Sequence, residues 1–233
     1  MSGSNWPGEE RRRPPLTSAT WAVRAPLARW LEEQAARGEG GYRVLDVGCG
    51  PKPYYPFFAD RAGDYVGVDV VENQAAELRG AVEALPVEDA SFDLVLCTQV
   101  LEHADDPAQA VRELRRVTAP GGRVLASTHG TQVYHPSPVD YWRWTHAGLR
   151  RLFEQNGEWE SVEVTPGAGT ASTLAMLLGT YVEIAFRRTP LSHPPVWVLN
   201  RLGAALDARV RSLREPLPGS LIANFHVVAT VGA

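Results

Sequence analysis

The stretch VLDVGCG at residues 44–50 combines residue types that suit the binding of a small charged molecule. Glycines at positions 48 and 50 let the chain turn sharply after a strand, and they let a ligand approach the backbone without meeting a Cβ atom. Asp46 stands near the end of that strand, and Asp69 closes the next predicted strand. A carboxylate at the position of Asp69 can accept hydrogen bonds from both hydroxyls of a ribose. The spacing therefore predicts a ligand that contains a nucleoside.

The loop lacks the features of a pyrophosphate site. A dinucleotide fingerprint requires G-x-G-x-x-G, whereas here Gly50 is followed by Pro51, Lys52 and Pro53, so the third glycine is missing. Asp46 would repel a pyrophosphate, but it suits a cationic ligand that carries an amine. These features favour S-adenosylmethionine over the nicotinamide cofactor of a dehydrogenase.

A second stretch with chemical potential, HPSPVDYWRWTHAGL, covers residues 135–149. Its aromatic rings offer flat faces to a sugar or an aromatic acceptor, and cation–π surfaces to a sulfonium or an amine. His135 and the nearby His129 are candidates for the general base that a reaction at a hydroxyl or an ammonium requires. The spacing of these histidines, Asp140 and His146 matches no known ligand pattern, so we expect no metal.

The elements that must position these residues alternate between strands and helices. Apolar runs predict strands at 42–48, 64–70, 92–98, 122–128, 158–165 and 224–231. Amphipathic segments predict helices at about 17–37, 53–61, 72–79, 107–117 and 146–156. This alternation predicts a parallel sheet covered on both faces, with the ligand crevice at the carboxyl ends of its strands.

In their order along the chain, these motifs resemble those of class I S-adenosylmethionine-dependent methyltransferases, in particular the family called methyltransferase type 11. VLDVGCG resembles motif I, and EALPVEDASFDLVLCTQVLEH (83–103) resembles the run across the third and fourth strands. ELRRVTAPGGRVLAST resembles the segment that enters the fifth. The resemblance covers roughly residues 42–165 and the last strand. HPSPVDYWRWT is similar to a run in a bacterial subset associated with glycan or natural-product pathways.

The resemblance implies a Rossmann-like α/β fold. Its seven-stranded sheet would be mostly parallel, with an antiparallel last strand paired with 158–165 and a helical insertion before that strand. S-adenosylmethionine would be the cofactor. Its methionine end would lie against Asp46, Gly48 and Gly50, with Gln99 beside it. Asp69 would hold the ribose, and Val70 and Val82 would contact the adenine. Ala81 stands where the family usually has an acid on the adenine amino group, so this contact must be lost or supplied by another residue.

For the acceptor, the segments after the fourth and fifth strands, together with the aromatic pair after the glycine loop, give two sets of candidates. The catalytic candidates are His129 and His135. The substrate-binding candidates are Tyr55, His103, Asp140, Tyr141 and Trp142. Three of the aromatic and histidine positions have structural alternatives: His103 as a helix cap, Tyr55 as a lid or core residue, and Trp144 as core beneath the next helix.

The composition is typical of one α/β domain. The chain has 233 residues, 44% of them hydrophobic, and its formal charge of −4 argues against nucleic acid as a partner. Its two cysteines, Cys49 and Cys97, form no CxxC pair, and no apolar run suggests a signal peptide, so we expect a cytoplasmic protein. We predict a flexible tail at 1–16 and a single domain at 17–233.

Within that domain we expect an N-terminal helix (17–38), a cofactor-binding core (42–165), a helical insertion (166–223) and the last strand (224–231). The insertion is too interrupted to span a bilayer, and it could form a lid over the acceptor, a homodimer surface or a membrane contact.

The sequence therefore predicts an enzyme that moves a methyl group from S-adenosylmethionine to an oxygen or nitrogen of a small molecule, first among them a natural product or a sugar. The alternatives are a protein of this fold without methyl transfer, either a binding module or one with other S-adenosylmethionine chemistry, and a nicotinamide-dependent dehydrogenase.

Overall fold

The computed structural model describes residues 6–38, 40–134, 136 and 138–233, and within them seven strands form one sheet. The strands are β1 (Tyr42–Val47), β2 (Ala62–Asp69), β3 (Leu78–Arg79), β4 (Phe92–Thr98), β5 (Thr118–His129), β6 (Ser161–Pro166) and β7 (Asn224–Thr230). The α-helices are α1 (Glu9–Arg12), α2 (Trp21–Ala35), α3 (Tyr55–Phe58), α4 (Pro107–Val117), α5 (His146–Gln155), α6 (Thr170–Ala185), α7 (His193–Arg209) and α8 (Arg211–Arg214). Short 3-10 helices cover Leu101–His103 and Pro190–Ser192.

The strand order is β3-β2-β1-β4-β5-β7-β6. The strand pairs from β3 to β5 are parallel, and β7 runs antiparallel between β5 and β6. The chain builds outward from β1 through β2 and β3, then returns to place β4 on the other side of β1. The order reverses between β1 and β4, so the carboxyl ends of these strands open a crevice. This topology confirms the predicted fold class.

The central strands are apolar on both faces because helices cover both. On one face, Leu45 and Val95 pack with Leu114 of α4 and Phe153 of α5. On the other face, buried apolar side chains of β1, β4 and β5 pack with Leu27 of α2 and with α3. Burial on both sides explains why these strands read as continuous apolar runs.

Two caps fix the helices nearest the crevice. Asp106 accepts a hydrogen bond from the Gln109 backbone N–H (3.0 Å) before Pro107 begins α4. Thr145 accepts one from Gly148 N–H (3.0 Å) before α5, as the sequence predicts. The N-terminal helix begins later than predicted, at Trp21, and its cap residue makes no side-chain hydrogen bond.

Two other helix predictions were wrong. Residues 72–79 form a turn followed by β3, because Asn73 Oδ1 accepts hydrogen bonds from the backbone N–H groups of Ala75 (2.9 Å) and Ala76 (3.0 Å). Such a turn competes with the helical hydrogen-bond ladder. The segment 53–61 is helical only over the four residues of α3, since its prolines cannot donate backbone hydrogen bonds.

The N-terminal segment 6–16, which the sequence predicts as part of a flexible tail, packs against the glycine loop. Trp6 Nε1–H donates to the carbonyl of Lys52 (2.8 Å), and the Trp6 ring lies 4.6 Å from that of Tyr55. Arg12 donates to the carbonyls of Trp6 (2.9 Å) and Pro53. These bonds satisfy two carbonyls of the loop, so the segment supports it from outside.

The predicted insertion is a helical hairpin of α6 and α7. The carboxylate of Asp207 in α7 accepts hydrogen bonds from the N–H groups of Ala171 and Ser172, both at 3.0 Å, at the start of α6. Asn200 Nδ2 donates to the carbonyls of Leu16 (2.8 Å) and Ser18 (2.9 Å), which ties the hairpin to the chain before α2. In the described part of the chain, no helix is both long and apolar enough to cross a membrane.

Candidate functional site

The glycine loop after β1 is held open by its own geometry. Gly48 has φ +66°, and a Cβ there would lie 2.4 Å from Val100 Cγ2. Gly50 has φ +49°, and a Cβ there would meet no heavy atom within 4 Å. Gly48 is therefore required for packing, whereas Gly50 leaves the space above the loop accessible to a ligand.

Asp69 connects this loop to the end of β2. Its Oδ2 accepts a hydrogen bond from Gly50 N–H (2.8 Å), and its Oδ1 accepts one from Val71 N–H (3.0 Å). A carboxylate offers about four acceptor sites, so further lone pairs remain for the hydroxyls of a ribose. Val70, next in the chain, is 60% exposed and presents an apolar surface beside that carboxylate.

Asp46 lies beneath the loop instead of in the open crevice. Its Oδ2 accepts a hydrogen bond from the hydroxyl of Tyr65 (2.7 Å), and its carboxyl group is buried. Burial raises the pKa of Asp46 to about 7, although the Tyr65 bond and the Lys52 charge oppose the shift. Its direct contact with a cofactor remains a prediction, since the side chain is bonded to the sheet.

Lys52 forms a second polar contact beneath the loop. Its buried ammonium donates to both carboxylate oxygens of Glu77 at 2.6 Å, and Glu77 also accepts from Gly67 N–H (2.6 Å). A Cβ at Gly67 would lie 2.5 Å from Lys52 Cε, so the lysine crosses β2 at a point where only glycine fits. The Lys52–Glu77 pair could not be predicted from the sequence, because the two residues meet only in the folded sheet.

The ends of β3 and β4 carry the other predicted cofactor residues. Val82 is buried next to an isolated bridge between Ala81 and Ala84. Gln99 has φ +58°, and its Nε2 donates to Asn224 Oδ1 (2.8 Å) and Ser127 Oγ (3.1 Å). The Gln99 side chain thus points toward β5 and β7, while its backbone lies at the crevice.

A buried acid that the sequence analysis missed, Glu102, lies on the acceptor side of the crevice. Its side chain is fully buried, and its Oε2 accepts a hydrogen bond from Thr128 Oγ1 (2.8 Å). Its Oε1 lies 3.2 Å from Nε2 of His129 at the end of β5. Burial raises the pKa of Glu102 to about 7, with the Thr128 bond opposing the shift.

The other face of His129 approaches Asp140. His129 Nδ1 lies 3.8 Å from Asp140 Oδ2, and Arg143 Nη2 donates to that oxygen at 2.7 Å. The His129 side chain is 13% exposed, so it lies near the protein surface between two carboxyl groups. Two of the predicted residues, His129 and Asp140, are therefore brought together, whereas His135 lies outside the described residues.

The aromatic stretch is fastened to the strand ends by backbone hydrogen bonds. Tyr141 N–H donates to Glu102 O (2.7 Å), and Trp144 N–H donates to His129 O (3.0 Å). Trp142 Nε1–H donates to Ala104 O (2.7 Å), while its ring stacks on that of Trp144 at 5.7 Å. Tyr141 and Trp142 are 58% and 38% exposed, so both side chains present accessible surface.

Two predicted substrate residues have structural contacts. His103 Nδ1 lies 2.9 Å from the carbonyl of Val139, which connects the 3-10 helix to the aromatic stretch. The ring of Tyr55 lies between Trp6 and Tyr65, at 4.6 and 5.1 Å, on the side of the glycine loop covered by the N-terminal segment. These contacts favour the structural interpretation of both residues. Among the described residues, no group of three or more His, Cys, Asp or Glu side chains could hold a metal ion.

Comparison with known proteins identifies the family. A family model described as "Methyltransferase domain" matches residues 45–126. A protein of Mycolicibacterium smegmatis named "Probable S-adenosylmethionine-dependent methyltransferase" is 33% identical over 172 residues, covering 66% of this chain and 67% of that protein. The chain belongs to the S-adenosylmethionine-dependent methyltransferases. The ubiquinone biosynthesis O-methyltransferase of Pseudomonas aeruginosa is also 33% identical, over 42% of this chain and about half (48%) of that enzyme's length.

Solved structures show that this methyltransferase shares its fold with distant proteins. The cyclase SpnF superimposes with a TM-score of 0.58 at 18% identity, over 90% of this chain and 82% of that one. Phosphoethanolamine N-methyltransferase 2 of Haemonchus contortus, in complex with S-adenosyl-L-methionine, gives a TM-score of 0.58 at 15% identity, over 97% of this chain and 60% of that one. At these identities the likeness concerns the fold alone.

The crevice of the methyltransferase fits its cofactor, S-adenosylmethionine. The open space above Gly50 would take the methionine end, and the remaining acceptor sites of the Asp69 carboxylate would take the ribose hydroxyls. Exposed Val70 offers an apolar contact for the adenine. Ala81 supplies no carboxylate there, and the nearby Glu83 already accepts a hydrogen bond from Asp105 N–H (2.8 Å).

Proposed function

We propose that this methyltransferase acts on a small organic acceptor, at an oxygen or a nitrogen, and that His129 is the general base. The observation that carries the proposal is the contact between His129 Nε2 and the buried Glu102, at 3.2 Å, together with the backbone hydrogen bond from exposed Tyr141 to the carbonyl of the same Glu102. A base, its orienting acid and flat apolar surfaces thus lie together at the crevice.

Methyl transfer is an in-line displacement, for which the cofactor supplies an electrophilic methyl group. The protein then has to align the acceptor, keep water away and remove one proton. Glu102, 3.2 Å from Nε2, and Asp140, 3.8 Å from Nδ1, would orient the imidazole and adjust its basicity for the removal of that proton. Arg143 on Asp140 keeps that second carboxylate in place beside Nδ1.

An oxygen acceptor is the first choice. The relatives named ubiquinone biosynthesis O-methyltransferases support it, and a hydroxyl needs the base that the Glu102–His129 pair provides. Tyr141 and Trp142 suit a planar aromatic ring or the apolar face of a sugar. A phenolic or glycosidic natural product satisfies both requirements. The candidate cofactor contacts are Asp46, Gly48, Gly50, Asp69, Val70, Val82 and Gln99.

The experiment is product analysis with a small panel of acceptors. The purified protein and S-adenosylmethionine are incubated with a catechol, a hexose glycoside and a primary amine, and mass spectrometry follows each acceptor. We expect the catechol or the glycoside to gain one methyl group while S-adenosylhomocysteine is released. Cofactor binding with no methyl gain in any acceptor class, or conversion of an acceptor without a methyl gain, would contradict the proposal and favour a protein of this fold with other chemistry.

A further inference from the structure

The exposed apolar side chains of this protein are unevenly distributed. Among the described residues, large apolar side chains that are exposed occur in only two places. One is the rim of the crevice, with Val70, Val71, Tyr134, Val139, Tyr141 and Trp142. The other is the segment 174–221, which contains the α6–α7 hairpin and the chain after it. Isolated exposed apolar residues are ordinary, but such a concentration marks an interaction surface.

The apolar residues of the hairpin lie opposite its packed side. In α6 the buried positions include Ser172, Ala175 and Gly179, while Leu174, Leu178 and Tyr181 follow one another on the outward side and are 45%, 56% and 64% exposed. In α7 the buried positions include Val196, Asn200 and Gly203, while Val198, Leu202 and Leu206 are 46%, 58% and 50% exposed. Both stripes recur every three or four residues, as an interfacial helix requires.

The charge of the hairpin is opposite to that of the whole protein. Between residues 170 and 215 there are six arginines and three acids, although the chain carries a formal charge of −4. All three acids are engaged, since Asp207 caps α6, Glu183 accepts a hydrogen bond from Ala19 N–H (2.9 Å), and Glu215 pairs with Arg211. Arg187 and Arg188 are exposed at the turn between the helices, next to exposed Phe186 and Leu191. The hairpin and the chain after it thus combine an apolar surface with a net positive charge.

We propose that the α6–α7 hairpin is a docking surface for an anionic lipid bilayer, on which it lies without crossing. Apolar residues, interfacial aromatics such as Tyr181 and Trp197, and arginines are the combination that binds such a surface. A second copy of the chain fits less well, because a two-fold interface would bring the same arginine-rich surface against itself. The charge therefore selects the anionic lipid surface over the homodimer that the sequence also allows.

The hairpin is also connected to the crevice. Gln132, in the loop after β5, has its Nε2 3.7 Å from Met176 Sδ in α6. Thr173 Oγ1 of α6 accepts a hydrogen bond from Ala223 N–H (3.0 Å), just before β7. Docking would thus hold the acceptor side of the crevice near the bilayer. The proposal itself does not depend on methyl transfer, since vesicle binding is measured without substrate or cofactor.

The test is cosedimentation of the full-length protein with vesicles. We expect binding to vesicles of phosphatidylglycerol and phosphatidylcholine in equal parts, much weaker binding to phosphatidylcholine alone, and a loss of binding as salt is raised. The variant Leu178→Gln/Leu202→Gln should reduce binding about tenfold or more, because it removes apolar area from both stripes. Both residues are exposed, so the fold should persist, as circular dichroism would verify.

A matched pair of arginine variants tests the electrostatic part. Arg187→Gln/Arg188→Gln should weaken binding to the anionic vesicles about 25-fold, at roughly fivefold for each arginine near the surface. Arg150→Gln/Arg151→Gln removes the same charge from α5 and should leave binding close to that of the wild type. Equal losses in both pairs, or no binding by the wild type, would overturn the proposal. So would a dimer in analytical ultracentrifugation that Leu178→Gln/Leu202→Gln dissociates, because the second copy would then be the occupant.

Discussion

Glu102 and His129 meet at the carboxyl ends of β4 and β5, with Oε1 and Nε2 3.2 Å apart. The acid has no accessible surface, whereas the histidine is partly exposed toward the crevice. A buried carboxyl group behind a partly exposed imidazole can orient the ring and adjust its basicity. On the proposed function, Glu102 is therefore a positioning residue and His129 the residue that would touch the acceptor.

Replacing either member of this pair should slow turnover. We expect His129→Gln to lower kcat by about 10²–10⁴-fold, the usual contribution of general-base catalysis. Glu102→Gln should lower kcat about tenfold and shift the acid limb of the pH–rate profile, with little change in the KM for S-adenosylmethionine. Steady-state kinetics across pH would measure both effects.

The control for this pair is His103→Gln, which alters a histidine bonded to the loop carbonyl of Val139. Its kcat should change less than that of His129→Gln, and its pH profile should keep its shape. If His129→Gln turned over at the wild-type rate, alignment without a base would be the mechanism, and the proposed role of His129 would be wrong.

The glycine loop allows backbone strain to be separated from ligand contact. Gly50→Ala should destabilise the fold by about 1–2 kcal/mol, because the φ of Gly50 is positive. It should also weaken S-adenosylhomocysteine binding about tenfold or more, because the added methyl group would enter the open space above the loop. Gly121→Ala has the same backbone problem at φ +71° and equally open surroundings, so its stability loss should be similar. Denaturant unfolding and calorimetry would measure the two quantities, and equal affinities in the two variants would refute a ligand above Gly50.

Asp69 should contribute to cofactor affinity through its charge. We expect Asp69→Asn to weaken S-adenosylhomocysteine binding about 10–100-fold, since hydrogen bonds to a charged group are worth about 1.5–3 kcal/mol. Asp64→Asn, on the exposed part of the same strand, removes the same charge and should leave the affinity near that of the wild type. A comparable loss in Asp64→Asn would mean that net charge, and not the ribose contact, determines the affinity.

The buried His226 should make the fold sensitive to acid. Burial lowers the pKa of His226 from 6.5 to about 3, so the unfolded chain binds a proton before the folded chain does. The stability that His226 contributes is therefore complete above pH 6.5 and is lost as the pH falls toward 3, at up to about 1.4 kcal/mol per pH unit. The raised pKa values of Asp46 and Glu102, both about 7, act in the opposite direction, so the test is a difference between variants.

The variant is His226→Phe, which keeps a ring against Trp30 (4.6 Å in the wild type) but cannot be protonated. The free energy of unfolding of the wild type, relative to that of this variant, should fall as the pH drops from 6.5 to 4. His193→Phe, which changes an exposed histidine at the start of α7, is the control for the loss of a histidine as such. A flat curve for His226→Phe would mean that His226 is hydrated in solution.

Much of the fold could be predicted from local patterns. The centres of β1, β4 and β5 are buried on both faces, so each strand contains consecutive apolar residues that predict it. The two-residue β3 could not be found, since Leu78 and Arg79 form no pattern of their own. It exists only because β2 offers an edge at Val68 and Asp69.

The predicted site was incomplete for a similar reason. In the VLEH run (100–103), the residue predicted to bind substrate was His103. The structure instead places Glu102 of the same run against His129. An acid four residues after the end of an apolar strand was a signal that could have indicated it. The contacts of Tyr65 with Asp46 and of Lys52 with Glu77 had no such signal, because each joins residues far apart in the chain.

The N-terminal segment has a practical consequence. Trp6 and Arg12 donate to the carbonyls of Lys52 and Pro53, directly beside the glycine loop. An affinity tag fused before Trp6, or cleavage by a protease within the N-terminal segment, would disturb the hydrogen bonds to the backbone that shapes the cofactor crevice. Purification through a tag placed after Ala233, which is exposed beyond β7, would leave that backbone in its native surroundings.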